Sequence, residues 1–173
     1  MELTRRDAVA ALAALGVGGG TLSGCVAPPG SEPIDIERLR ETLVAAAEVV
    51  YPSEVSGTAT FVEAFLEGRL TDRDHAVGVA AAVAALDDNA AVWYDDRFAA
   101  LPAADREQVL RNVGADDADE DPEGTTAERV RYYVVNELLL ALYASPTGGE
   151  LVGLENPQGY AGGITTYQRG PDA

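Results

Sequence analysis

The chain has 173 residues with 29 acidic and 12 basic side chains, which gives a formal net charge of −17 at pH 7. Apolar residues make up 47% of the sequence, enough for a packed core, and this length predicts one domain. A single Cys and a single His exclude an internal disulfide framework and a Cys/His zinc site. The acidity argues against direct nucleic-acid binding, because phosphate contacts need a basic surface.

All 12 bases are Arg, and the sequence contains no Lys. Carboxylates hold water well, and at molar salt the Debye length falls to about 3 Å, so their mutual repulsion is largely screened. We therefore expect a halophilic protein, adapted to very high salt. An ordinary acidic protein without salt adaptation is the alternative.

Residues 1–24 have the pattern of an export signal. Arg5 and Arg6 precede a modestly apolar stretch, Ala8 to Val17, which is too short and too close to a glycine run to span a membrane. Two adjacent arginines before such a stretch resemble the twin-arginine (Tat) signal, which directs the export of folded proteins. The apolar pair that usually follows the arginines is here Ala8 and Val9, which is smaller than is typical. An accidental Arg pair before an amphipathic helix is the alternative.

The signal ends in Leu22-Ser23-Gly24-Cys25, which resembles a lipobox. Cys25 would then begin the mature chain and carry a lipid on its thiol, with residues 25–34 as an extended linker. Two buried lipid chains anchor a protein stably. We expect the protein to be exported and held on the outer face of the cytoplasmic membrane, with an unmodified, packed Cys25 as the alternative.

Residues 35–144 are predicted to form one all-α bundle of about five helices, because apolar residues recur there at helical spacing. Gly68 is expected to end the second helix and Thr71 to cap the third. The last helix is apolar nearly all round, which places it at the centre of the bundle. The predicted helices cover residues 35–51, 59–67, 71–93, 101–113 and 127–144.

Residues 145–173 are rich in Gly and Pro and are expected to be an irregular tail. The tail nevertheless contains aromatic and aliphatic side chains, which suit a segment that lies on a surface. That surface is either the chain's own bundle or a partner. The candidate partner-binding residues are Asn156, Pro157, Gln158, Gly159, Tyr160, Gly162, Gly163 and Tyr167.

An acidic loop contains a near match to a calcium-binding EF-hand loop. Asp117, Asp119, Asp121 and Glu128 fall at positions 1, 3, 5 and 12 of that pattern. Position 6, where the chain turns sharply and needs Gly, is occupied by Pro122, whose fixed φ does not allow the turn. We therefore expect a solvated acidic loop, with calcium binding as the alternative.

Among the ionisable groups within the predicted helices, His75 and Glu137 are the candidates for a functional role. His75 lies in the first turn of the long helix, where a solvated or capping role is expected. Asp87, further along the same helix, is expected to lie on its solvated face. Glu137 lies in the most apolar helix and needs a partner, which must be an Arg of another helix because Arg129 and Arg131 are too close in sequence to face it. A functional acid is the alternative for Glu137.

The sequence shows no P-loop, flavin-binding motif, nucleophile elbow or cluster of metal ligands. We therefore assign no catalytic, cofactor-binding or metal-binding residue to this chain.

Several segments resemble a known family. The first bundle helix ends in Val49-Val50-Tyr51-Pro52, and the last is followed by Ser145-Pro146-Thr147-Gly148-Gly149. The tail reads Glu155-Asn156-Pro157-Gln158-Gly159-Tyr160 and then Tyr167-Gln168-Arg169-Gly170-Pro171. With the Arg pair, these segments resemble the gluconate 2-dehydrogenase subunit 3 family, in a form typical of halophilic archaea, over most of residues 35–171.

The resemblance implies a small, cofactor-free accessory subunit rather than an enzyme. In such complexes a large flavoprotein of the glucose-methanol-choline type, with FAD, oxidises a sugar or alcohol, and a cytochrome subunit often receives the electrons. The small subunit binds the flavoprotein and carries the Tat signal that engages the translocase for both. A lipobox is not general in the family, so Cys25 would be an additional membrane anchor. A stand-alone, lipid-anchored helical binding protein is the alternative.

Overall fold

The computed structural model describes residues 1–16 and 33–153, and over these ranges the protein is an all-α bundle, as predicted. β structure in these ranges is limited to one isolated bridge between Glu2 and Ser56. Two shorter elements are a 3-10 turn, Phe98–Ala100, and a π-helical segment, Arg131–Asn136. The helices are α1 (Arg5–Ala14), α2 (Ile36–Val50), α3 (Thr58–Arg69), α4 (Arg73–Tyr94), α5 (Ala103–Val113), α6 (Thr126–Val130), α7 (Glu137–Ala144) and α8 (Pro146–Leu151).

Local capping signals set several helix ends where the sequence predicts them. Asp35 caps α2, with its side chain accepting a hydrogen bond from the backbone N–H of Arg38. Gly114 ends α5 in the left-handed conformation, at φ 83°.

Two of the predicted boundary signals are wrong. Asp72, not Thr71, caps α4, because its carboxylate accepts from the backbone N–H groups of Asp74 and His75. The Thr71 hydroxyl instead donates to the carbonyl of Gly68. Gly68 itself lies inside α3 rather than ending it.

The core is formed mainly by α2, α3, α4 and α7. Leu43, Phe61, Phe65, Leu86 and Leu138 are fully buried at its centre. By length and composition alone α4 could cross a membrane, but it packs against α2, α5 and α6 within the bundle. Its alanines allow the close approach of neighbouring helices.

Asp87, expected to be solvated, is buried with 6% of its surface exposed. One carboxylate oxygen accepts from the backbone N–H of Phe98 at 2.9 Å. The other accepts from Arg38 of α2 through Nε at 2.8 Å and pairs with Nη2 at 2.7 Å. The prediction was wrong because this face of α4 meets α2 and the 3-10 turn, where a carboxylate satisfies an otherwise orphaned backbone donor.

The predicted helix over 127–144 is three consecutive helical pieces, α6, the π-helical segment and α7. Its inner face is buried as expected, with Val134, Leu138, Ala141 and Leu142 inaccessible to solvent. Its outer face is not, and the expectation of burial all round is wrong there.

The structure also departs from the expected irregular tail, because residues 146–151 form α8. The buried Ser145 caps this helix by accepting from the backbone N–H of Gly148, and Pro146 takes the first helical position, where its missing N–H costs nothing.

Residues 1–16, expected to be part of an export signal, pack against the bundle. α1 lies mainly on α3 and also contacts α7 and α8. Leu3, Ala8 and Ala11 are buried in this contact. Thr4 caps α1 and forms a reciprocal capping box with Asp7.

Candidate functional site

A buried carboxylate, Glu137, lies at the start of α7 with 4% of its surface exposed. Arg69, the last residue of α3, donates from Nε to Oε1 at 2.5 Å and from Nη2 to Oε2 at 3.3 Å. These two parallel contacts are the bidentate arrangement that a guanidinium and a carboxylate favour. The prediction that an arginine of another helix pairs with Glu137 is confirmed.

His75 joins this pair from α4. Its Nε2 lies 3.3 Å from Oε1 of Glu137, a close contact without hydrogen-bond alignment, and its ring centroid lies 5.6 Å from that of Tyr133. Only 9% of the His75 side chain is exposed, so the expectation of a solvated or capping histidine is wrong. This face of the first turn of α4 meets the π-helical segment rather than solvent.

The cluster holds Glu137 in its ionised form. Burial acts to raise the pKa of Glu137, but the contacts with His75 and Arg69 outweigh it and hold the pKa below its ordinary value. Nearby, the Tyr51 hydroxyl donates to the carbonyl of Leu138 at 2.9 Å, and burial together with the Glu137 charge raises the pKa of Tyr51. A carboxylate kept ionised is not a proton donor at neutral pH, so this geometry favours a structural role for Glu137, joining α3, α4 and α7.

The π-helical segment determines where two adjacent tyrosines lie. A π turn holds about one extra residue and shifts the faces of the helix that follow, and such turns are frequent at functional sites. The rings of Tyr132 and Tyr133 meet edge to face at 4.8 Å. Tyr133 packs over Gly78 of α4, where a Cβ would collide with its ring, whereas Tyr132 lines a surface cleft.

This cleft, which we call the α7 cleft, has a volume of about 390 Å³ and lies beside the Arg69–Glu137 pair. Its apolar wall includes Leu140, 45% exposed, and Tyr143, 40% exposed. Large apolar side chains grouped on a surface are typical of protein contacts. The lining residues are Arg69, Glu120, Tyr132, Asn136, Glu137, Leu139, Leu140 and Tyr143.

Sequence reasoning missed the α7 cleft. The run from Tyr132 to Tyr143 is polar only at Asn136 and Glu137, so it predicts burial on every side. The exposed apolar face arises from the helix register after the π turn, and no local sequence signal marked that turn.

The acidic loop does not use its last carboxylate as the EF-hand pattern requires. Glu128 accepts from the backbone N–H and the hydroxyl of Thr125, both at 2.7 Å, and so caps the start of α6. Within residues 1–16 and 33–153 no three or more His, Cys, Asp or Glu side chains are grouped so that they could hold a metal ion.

The structure places some of the other predicted site residues. Arg5, Arg6 and Val9 are exposed on the outer face of α1, while its inner face, with Asp7, Ala8 and Ala11, packs on the bundle. Cys25 and the candidate tail residues lie outside the described ranges. The tail candidates concerned are Asn156, Pro157, Gln158, Gly159, Tyr160, Gly162, Gly163 and Tyr167.

The fold and the cleft define a class of small, all-α protein with an exposed apolar face suited to binding another protein. The family profile described as gluconate 2-dehydrogenase subunit 3 matches residues 37–163, and the chain belongs to this family. It is accordingly assigned as an accessory subunit of a dehydrogenase complex. Comparison with curated proteins and with solved structures gave no significant match.

Proposed function

We propose that this chain is the non-catalytic small subunit of an exported, membrane-associated, flavin-dependent dehydrogenase that acts on a sugar or alcohol. It binds the flavoprotein subunit, of the glucose-methanol-choline type, and carries the Tat signal with which that partner is exported. The family match over residues 37–163 carries the proposal. FAD belongs to the partner, and in complexes of this kind a cytochrome subunit often receives the electrons.

The α7 cleft supports contact with that partner. Leu140 and Tyr143 offer apolar area whose burial favours association, and interface cores are enriched in such side chains. The Arg69–Glu137 pair beside them is fixed by its bidentate contact and gives the surface a defined polar feature. We propose that the flavoprotein covers this cleft and also binds the tail residues Asn156 to Tyr167.

The position of the Arg pair supports an export role. Arg5 and Arg6 point outward from the folded chain, so a translocase can reach both side chains without unfolding the bundle. Lipid on Cys25 would then retain the complex at the outer face of the membrane, where two acyl chains suffice for stable anchoring.

Export is tested by changing Arg5 and Arg6 to Lys in cells that make both subunits. The expected result is that the flavoprotein stays inside the cell, with its exported, flavin-containing fraction falling at least tenfold. Substitution is cleaner than deletion of residues 1–24, because deletion also removes the buried Leu3, Ala8 and Ala11.

The matched control changes two other exposed arginines, Arg73 and Arg111, to Lys, and we expect normal export from it. Normal amounts of exported flavoprotein from the Arg5→Lys/Arg6→Lys variant would refute the export role.

A further inference from the structure

Residues 1–15, which we call the N-terminal segment, are held by the bundle through specific backbone contacts. The N–H of Leu3 donates to the carbonyl of Ser56 at 2.8 Å, and the N–H of Ser56 donates to the carbonyl of Met1 at 2.9 Å. The next residue, Gly57, has φ 76°, and a Cβ there would collide with the Leu3 carbonyl oxygen. The backbone at Ser56 and Gly57 therefore forms a site that fits the extended residues Met1 to Leu3.

The helical part of the segment packs by close approach of small residues. Ala8 and Ala11 are fully buried against the bundle. Leu12 rests on Gly68 of α3, where a Cβ would lie 2.7 Å from Cδ1 of Leu12. The glycine inside α3 thus has a role that its sequence position did not reveal, which is to make room for α1.

A polar contact fixes the register of α1. Asp7 is 6% exposed, and its Oδ2 accepts from the N–H of Thr4 at 2.8 Å and the hydroxyl of Thr4 at 2.6 Å. Its Oδ1 accepts from the hydroxyl of Thr147 at 2.8 Å and the N–H of Thr147 at 3.3 Å. Burial acts to raise the pKa of Asp7, but these hydrogen bonds outweigh it and lower the pKa. A buried carboxylate satisfied from α8 makes the docked position specific rather than a chance apolar contact.

We propose that the N-terminal segment docks reversibly on α3, α7 and α8, and that docking withholds its inner apolar face, formed by Leu3, Ala8, Ala11 and Leu12, from membranes. This inference rests on the proposed function of residues 1–24 as a signal. In the docked state Arg5, Arg6 and Val9 face solvent, whereas Leu3, Ala8 and Ala11 are buried. The same side chains cannot pack on α3 and enter a lipid phase together, so the two states compete, and whatever binds the released state shifts the population toward it.

The test releases the segment without changing its own sequence. Gly68→Leu fills the space that Leu12 occupies, and it should favour α3 because Gly is a poor helix former. Thr147→Val removes the hydroxyl that donates to Asp7. The double variant is compared with the parent, both as the full 173-residue chain carrying Cys25→Ser so that neither is lipidated.

Two readouts are taken in molar KCl, which screens the repulsion between an acidic protein and anionic lipid. Hydrogen exchange of residues 5–14 reports docking, and flotation with vesicles of phosphatidylcholine and phosphatidylglycerol reports insertion. We expect the parent to be protected in α1 and to stay in solution. In the double variant, the protection of α1 against hydrogen exchange should fall at least about tenfold, whereas that of α4 and α7 should be kept. The double variant should also float with the vesicles.

Thr125→Val is the matched control, because it also removes a Thr hydroxyl that donates to a carboxylate, here that of Glu128. It lies at the start of α6, which packs on α4, α5 and the π-helical segment rather than on α1. It should behave as the parent does. An unprotected α1 in the parent, a released variant that does not float, or a control that floats would each overturn the inference. If Arg5→Lys/Arg6→Lys blocks export while the released variant stays in solution, the proposed function stands and this inference fails.

Discussion

Glu137 carries its charge inside the bundle because Arg69 meets it with two donors and His75 lies against it. Removing one partner of a buried pair costs more than the pair itself contributes, because the remaining charge loses its compensation. Arg69 keeps 24% of its side-chain surface exposed, so part of that penalty is relieved by water.

Glu137→Gln is expected to lower the free energy of unfolding by about 2 kcal/mol at pH 7, since it leaves Arg69 without its counter-charge. Because the pKa of Glu137 is lower in the folded state than its ordinary 4.5, its contribution is complete above that value and is lost as the pH falls through the folded pKa. The difference between the two proteins should therefore shrink in acid. Urea unfolding at constant salt over a pH series measures it.

Glu107→Gln serves as the control for this prediction, because Glu107 pairs with Arg111 on the exposed surface of α5. Exposed pairs contribute little, so its stability should stay close to that of the parent at every pH. An equal loss of unfolding free energy in both variants would contradict a larger contribution from the buried Glu137 than from an exposed ion pair.

At this scale the sequence predicts the need for a partner but not its identity. Their spacing from Glu137 excluded Arg129 and Arg131 as its partners. Because an unpaired charge is costly to bury, the partner was expected to be an arginine of another helix. Selecting Arg69 requires knowing how α3 and α7 pack. The burial of His75 was missed because a first-turn position indicates nothing about which face meets a neighbouring helix.

Among the elements, helix ends with a strong local cause were predictable and helix faces were not. Asp35 and Gly114 act through contacts within a few residues of themselves, so their roles follow from sequence alone. The outward position of Leu140 and Tyr143 depends on the π turn at Arg131–Asn136, which changes the register between α6 and α7. Periodic patterns assume a constant helical period, and here the period changes.

Asp87→Ala is expected to lower the free energy of unfolding by about 2–3 kcal/mol, because it leaves the buried N–H of Phe98 without an acceptor and Arg38 without its ion-pair partner. The substitution would remove the contacts by which Asp87 joins α4 to α2 and to the 3-10 turn. Asp88→Ala, at the neighbouring exposed position, should have little effect. Denaturant midpoints of the two variants compare them directly, and equal midpoints would contradict the assigned role of Asp87.

For the whole molecule, the dominant property is a net charge of −17 with no Lys. Mutual repulsion of surface carboxylates disfavours the compact state at low ionic strength, and salt screens it. We expect the Tm to rise continuously between roughly 0.2 and 3 M KCl. Changing the exposed Asp117 and Asp119 to Asn should make that rise shallower. A Tm independent of salt would contradict adaptation to high salt.

The central claim is that this accessory subunit binds a flavoprotein through the α7 cleft. The most direct measurement is the amount of flavin that co-purifies with the tagged chain from cells that also make its dehydrogenase subunit. Leu140→Glu/Tyr143→Glu should reduce that flavin at least tenfold, whereas Val92→Glu, at an apolar position 77% exposed on α4, should leave it unchanged. Flavin retained by the cleft variant, or absent from the unmodified chain, would contradict the account.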